Sequence, residues 1–229
     1  MSLIFIFIDH IPENILSYVT LQAVTFFDAA EVFIFISGFT AALVYGRQLA
    51  GKGALYASAQ VLRRAWQLYV AHIFLFVLFI AEVSYTASAF KNPMYNEEMR
   101  VADFLDEPHI AVIKALLLEF QPTFLDILPL YILMLAIFPA ILLGTQRHWP
   151  LVLVPSAMVY LTVQIFAISV PAYPEGHVWY FNPLAWQFLF VAGAVLGNRT
   201  AHGESLAGLL RIAYPVAAVV LAAMTVFPG

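Results

Sequence analysis

The chain has 229 residues, of which 63% are hydrophobic and 10% charged, and its formal net charge is -4. A soluble domain carries about 25% charged residues, so this chain cannot cover a globule with polar surface. With a mean hydropathy of +0.89 it reads as an integral membrane protein whose first partner is the lipid bilayer. The absence of Cys excludes disulfides, a thiolate nucleophile, a thioester relay and a cysteine-ligated metal.

The chain opens "MSLIFIFIDHIPEN". The stub Met1–Asp9 covers only about 13 Å at 1.5 Å per residue, under half of the roughly 30 Å hydrocarbon core. It reads as the last half of a first helix whose beginning is missing. It lacks the basic flank and the A-x-A-like exit of a cleavable signal peptide. The far end stops at "TVFPG" just as a span finishes, so a piece of a longer protein is expected.

Apolar runs long enough to cross a bilayer predict spans near Ala29–Gly46, Leu62–Thr86, Phe124–Gly144, Pro150–Val170, Pro183–Gly197 and Leu206–Phe227. The expected fold is all-α: a polytopic transmembrane helix bundle in one domain, 1–229, with about six full spans plus the truncated first helix. If the stub runs outward, Arg47, Lys52, Arg63, Arg64, Arg147, Arg199 and Arg211 lie inside, leaving Lys91, Arg100 and Lys114 outside. That split obeys the positive-inside rule, and the reverse orientation does not. Two outer segments are long enough to hold interfacial or re-entrant helices, His10–Asp28 and Ser88–Thr123. In the second, Ile110, Ile113, Leu117 and Phe120 are expected on one face.

Ionisable groups near a helix centre are costly in a bilayer and usually face the bundle interior or a water-filled cavity. In "FFDAAEVFIFISGF", Asp28 and Glu31 are three apart and share a helix face, with Asp28 also suited to capping. In "LRRAWQLYVAHIFLF", Arg64, Leu68 and His72 fall at i, i+4 and i+8. With Arg63 they either anchor the span or meet an anionic, phosphate-rich ligand, because Arg pairs bidentately with phosphate oxygens. Asp126 opens "LDILPLYILML" and either caps that helix or reaches the same cavity as Glu31. In "YPEGHVWYFNPLAWQF", Trp179, Tyr180, Phe181 and Trp186 read first as an interfacial aromatic belt. The alternative is a sugar-stacking platform with Asn182 and Gln187 as hydrogen-bonding groups. No Walker loop, GxGxxG, G-x-S-x-G elbow or HExxH helix occurs, so no metal, no resident cofactor and no nucleic-acid partner is expected.

Together "FIDHIPEN", "DAAEVFIFISGFTAALVYGRQL", "LRRAWQLYVAHI", "LDILPLYIL" and "FNPLAWQFLFVAGAVLG" resemble OpgC-type proteins of the membrane-bound acyltransferase-3 superfamily. The resemblance runs over nearly the whole chain. It implies a multi-pass protein of the bacterial cytoplasmic (inner) membrane that transfers an acyl group, succinyl above all, from acyl-CoA to an osmoregulated periplasmic glucan. Members have about ten helices. The superfamily carries a catalytic His in its first helix, which His10 matches, and an Arg eleven positions earlier that would fall before Met1.

A sugar hydroxyl needs a general base to attack a thioester carbonyl at neutral pH. His10 suits that role, with Glu31, Asp28 or Asp126 the better partners to orient its ring and Asp9 serving only if the helix ends there. Arg63, Arg64 and His72 are then the expected donor-binding residues, and Asp126, Trp179, Phe181, Asn182, Trp186 and Gln187 the acceptor-binding ones. The residues alone leave two other readings open: a transporter or flippase, or an inactive membrane subunit or fragment. The oligomeric state is not legible.

Overall fold

The computed structural model describes residues 29–92, 94–205, 207, 208, 210, 211 and 214–218. The first-helix stub, His10, Asp9, Asp28 and most of the expected span 206–227 lie outside the described residues. In chain order the elements are α1 Ala29–Lys52, α2 Ala54–Ala89, α3 Met94–Glu98, α4 Ala102–Asp106, α5 Pro108–Leu116, α6 Ile127–His148 and α7 Pro150–Phe166. A hairpin of β1 Pro171–Ala172 and β2 His177–Val178 and then α8 Pro183–Ala201 follow. The expectation of helices throughout therefore needs one correction, the short antiparallel hairpin.

Among the described residues three helices are long and apolar enough to cross a membrane: α1, α2 and α6. α7, at 17 residues, is a shorter apolar helix. α1 ends where Gly53 takes the left-handed conformation, φ 84°, and its N–H bonds the Leu49 carbonyl at 3.0 Å. α2 then runs for 36 residues, about 54 Å, well beyond the roughly 30 Å of a hydrocarbon core.

Two compact units form. The first holds the described residues up to Ala59, Phe138–Ala167 and the described residues from Ala185 onward. Its core joins Ile34 of α1, Phe138 and Leu142 of α6, and Phe188, Phe190 and Val195 of α8. α1 and α8 meet at backbone distance. A side chain on Gly38 would strike the Phe190 carbonyl, and side chains on Gly193 and Gly197 would strike the carbonyls of Phe35 and Phe39. Gly193 and Gly197 are four apart, so both notches face α1, the small-residue packing that membrane helices use in place of a hydrophobic drive. Polar pairs add direction to this packing. Gln146 Nε2 donates to Asn198 Oδ1 at 2.5 Å and Asn198 Nδ2 to the Thr145 carbonyl at 3.2 Å. Ser156 Oγ donates to Gln187 Oε1 at 2.6 Å, while Gln187 Nε2 donates to the Ser156 carbonyl at 2.9 Å.

The second unit holds Gln60–Ile137 and Ile168–Leu184. Phe76 of α2 packs edge-on against Phe104 and Phe120, and Phe120 against Tyr173, with ring centroids 5.4–5.8 Å apart. α5 buries Ala111 and Ala115, whereas Ile113 and Leu117 are exposed. The expected face of Ile110, Ile113, Leu117 and Phe120 is thus corrected: small residues let α5 lie close, and its large apolar residues face outward. Phe120 is buried from the irregular segment beyond the helix.

α5 ends in a Schellman motif, with Leu118 N–H bonded to the Ala115 carbonyl at 3.0 Å and Glu119 N–H to the Lys114 carbonyl at 2.8 Å. The left-handed position falls on Leu118, φ 63°, where glycine is usual. That conformation costs a branched residue about 1–2 kcal/mol, which the burial of its side chain against Ile132 and Trp179 offsets.

Candidate functional site

α1 carries Glu31 in its first turn, half-buried, with Tyr160 of α7 within its electrostatic reach. This is the one described member of the expected catalytic set, since His10, Asp28 and Asp9 lie outside the described residues. Asp126 stands immediately before α6, half-buried. Its position suits the cap expected from the sequence.

Arg63, Arg64, Leu68 and His72 follow one another up α2 with rising burial. Both arginines are exposed, Leu68 is half-buried, and His72 is 0% exposed. Among the described residues neither arginine forms an ion pair, because the two that exist join Lys114 to Glu119 and Arg199 to Glu204. Two unpaired guanidinium groups on one end of a span offer the fork geometry that phosphate takes. Among the described residues His72 has no hydrogen-bond partner on either ring nitrogen.

Burial divides the aromatic segment, and Trp179 and Phe181 are interior rather than part of a belt. Val178 and Tyr180 are exposed, whereas Trp179 and Phe181 are 5% and 8% exposed. Beyond β2 the backbone bends at Tyr180 and Phe181, whose rings pack edge-on with centroids 4.9 Å apart. Trp179 joins Leu118 and Ile132 inside the second unit, its N–H bonded to the Val170 carbonyl at 2.9 Å. Its indole Nε1 has no partner among the described residues.

Asn182 is engaged structurally. Its Oδ1 accepts from the Leu184 N–H at 3.1 Å and its Nδ2 donates to the Ile168 carbonyl at 2.7 Å. An Asn cap followed by Pro183 at the first helical position is a strong helix start. Replacing Asn182 by Ala should destabilise the chain by about 1–2 kcal/mol, read as a lower thermal midpoint in detergent; an unchanged midpoint would contradict the capping role. Gln187 is likewise spent on Ser156, and half-buried Trp186 sits one residue before it on α8. Trp179, Phe181 and Asn182 therefore belong to the second unit, and Trp186 and Gln187 to the first.

Three features of the second unit were not expected from the sequence. Lys114 and Glu119 pair at 2.6 Å beside the end of α5. Tyr173 hydrogen-bonds Glu107, and its phenol is pushed above the ordinary 10.0, first by burial and then by the charges of Glu107 and Asp103. A cavity of about 310 Å³ lies among Phe76, Ile80 and Ser84 of α2, Phe104 of α4, and Val112 and Leu116 of α5. It is apolar except for the Ser84 hydroxyl, and no expected site residue lines it. Only the pairing of Lys114 with Glu119 had a legible signal, a five-residue spacing that a Schellman turn folds back.

No metal-binding cluster of His, Asp and Glu occurs among the described residues. No curated protein and no solved structure matches the chain. The family model described as OpgC protein matches residues 1–228, and the chain belongs to that family.

Proposed function

We propose that this chain is an integral membrane O-acyltransferase of the bacterial inner membrane, crossing it several times and moving a succinyl group from acyl-CoA to a periplasmic glucan. The observation that carries the reading is the family match over residues 1–228. Membership supports a membrane acyltransferase-like role in modifying osmoregulated periplasmic glucans.

His10 acts as general base. It takes the proton of a glucan hydroxyl as that oxygen attacks the thioester carbonyl. The C–S bond then breaks, and the leaving thiolate takes a proton to depart as CoA. Glu31 orients the imidazole and stabilises its charged form, with Asp28 or Asp9 as the other acceptors of its ring N–H. The guanidinium groups of Arg63 and Arg64, which form no ion pair among the described residues, support a donor site for the phosphates of CoA. Asp126, Trp179 and Phe181 are the acceptor-side candidates of the second unit, where Asn182, whose amide is already engaged, shapes rather than reads the acceptor.

Mass spectrometry of periplasmic glucans tests the activity. Cells whose only glucan-acylating protein is this chain should carry succinylated glucan that disappears when the gene is removed. Unsubstituted glucan in both cases would refute the reading.

A further inference from the structure

His72 is fully buried in the second unit and Trp179 is 5% exposed there, and among the described residues neither ring nitrogen of His72 nor the indole N–H of Trp179 has a hydrogen-bond partner. Buried polar groups are nearly always hydrogen-bonded, and each orphan costs on the order of 1–3 kcal/mol. Two such groups in one small unit are an expensive arrangement for a purely structural role.

The neighbours of His72 on α2 lead toward Trp179. One turn before His72, Leu68 and Tyr69 pack on the cluster of Leu118, Ile132 and Trp179. One turn after it, Phe76 packs on Phe120 with ring centroids 5.7 Å apart. Residues four apart share a helix face, so His72 faces the segment from Leu118 to Phe120, beside the cluster that holds Trp179. That segment also carries polar groups. Tyr69 Oη donates to the Leu116 carbonyl at 2.9 Å, the Tyr173 N–H bonds the Glu119 carbonyl at 2.9 Å, and the Lys114–Glu119 pair is 38% exposed on each side. Irregular backbone and an ion pair beside a membrane-spanning helix are tolerated where they are buried in protein or line a water-filled cavity, not against lipid.

We propose that His72 and Trp179 form an interior site for a hydroxyl-bearing ligand, with a glucan hydroxyl as its occupant. An indole N–H only donates, so the guest must accept there. A neutral imidazole needs one donor and one acceptor. A hydroxyl supplies both, whereas an acyl chain or a thioester carbonyl does not. The alternative source of the same chemistry is a bound water. The proposal deepens the acyltransferase reading by assigning His72 to the acceptor rather than the donor. It rests on that reading only for the identity of the sugar.

The test is equilibrium binding of a labelled glucan oligosaccharide to the full chain in nanodiscs, with thermal unfolding and succinyl transfer measured in parallel. His72→Leu and Trp179→Phe should each weaken oligosaccharide binding about tenfold or more, with an unfolding temperature unchanged or raised, because an orphaned polar group has been removed. Trp179→Phe keeps the ring packing and serves where His72→Leu fails to fold. Native-like binding by the folded variants would overturn the site. So would a native chain that binds no oligosaccharide but loses stability in His72→Leu, the signature of water alone. Intact binding without any succinyl transfer would sink the acyltransferase reading and leave this site standing.

Discussion

Replacing His10 by Ala should reduce acyl transfer to glucan by about 10²–10⁴-fold, the contribution typical of a positioned general base, with membrane insertion and yield unchanged. A sugar hydroxyl cannot attack a thioester at useful rates while it keeps its proton, so the loss falls on the chemical step. It should appear in kcat rather than as a raised KM. Glu31→Gln keeps the size and a hydrogen-bond acceptor but removes the charge proposed to steady the imidazolium, and should cost less than His10→Ala. Combining the two should cost little more than His10→Ala alone, because residues that act as one unit are not additive. Native transfer rates in His10→Ala would remove the base from this account.

The second large effect is on the fold. Gly193→Leu should separate α1 from α8, because any side chain there meets the Phe35 carbonyl, part of a rigid helix backbone that has no rotamer to yield. The expected cost lies at or above the upper end of the roughly 1–3 kcal/mol typical of overpacked interiors, seen as a lower thermal midpoint and poor recovery from detergent. Gly51→Leu is the control, since among the described residues nothing lies within 4 Å of a side chain at that position. Equal behaviour of the two variants would show that the close approach carries no stability.

Much of the helical framework was legible in the residues. The run from Ala29 and the proline-marked starts at Pro150 and Pro183 agree with α1, α7 and α8. Composition and apolar runs suffice there because a bilayer forces every backbone polar group into a helix or closed barrel. The ends were less legible. α2 begins at Ala54 rather than Leu62, since "ALYASAQV" is not apolar enough to read as membrane yet contains no helix breaker after Gly53. α7 stops at Phe166 because Ala167 turns left-handed, φ 49°, which no residue type announces.

The site was less legible than the frame. Apolar pattern counts bulk, so it assigned α5 a face of isoleucines and leucines, whereas close helix packing selected Ala111 and Ala115. The segment after His177 was read as a belt because aromatic content says nothing of direction. The bend at Tyr180 and Phe181 leaves Trp179 and Phe181 buried and Tyr180 exposed. His72 was seen as one member of a cationic stripe, although burial separates it from Arg63 and Arg64. Spacing along one helix cannot reveal which other segments cover it.

The central claim is that this chain moves an acyl group onto carbohydrate across a membrane. The most direct measurement uses proteoliposomes holding the full chain, with labelled succinyl-CoA on one side and glucan on the other. The account predicts label covalently attached to glucan, dependent on His10. Label or glucan crossing the bilayer without any covalent product would contradict it and make the protein a transporter.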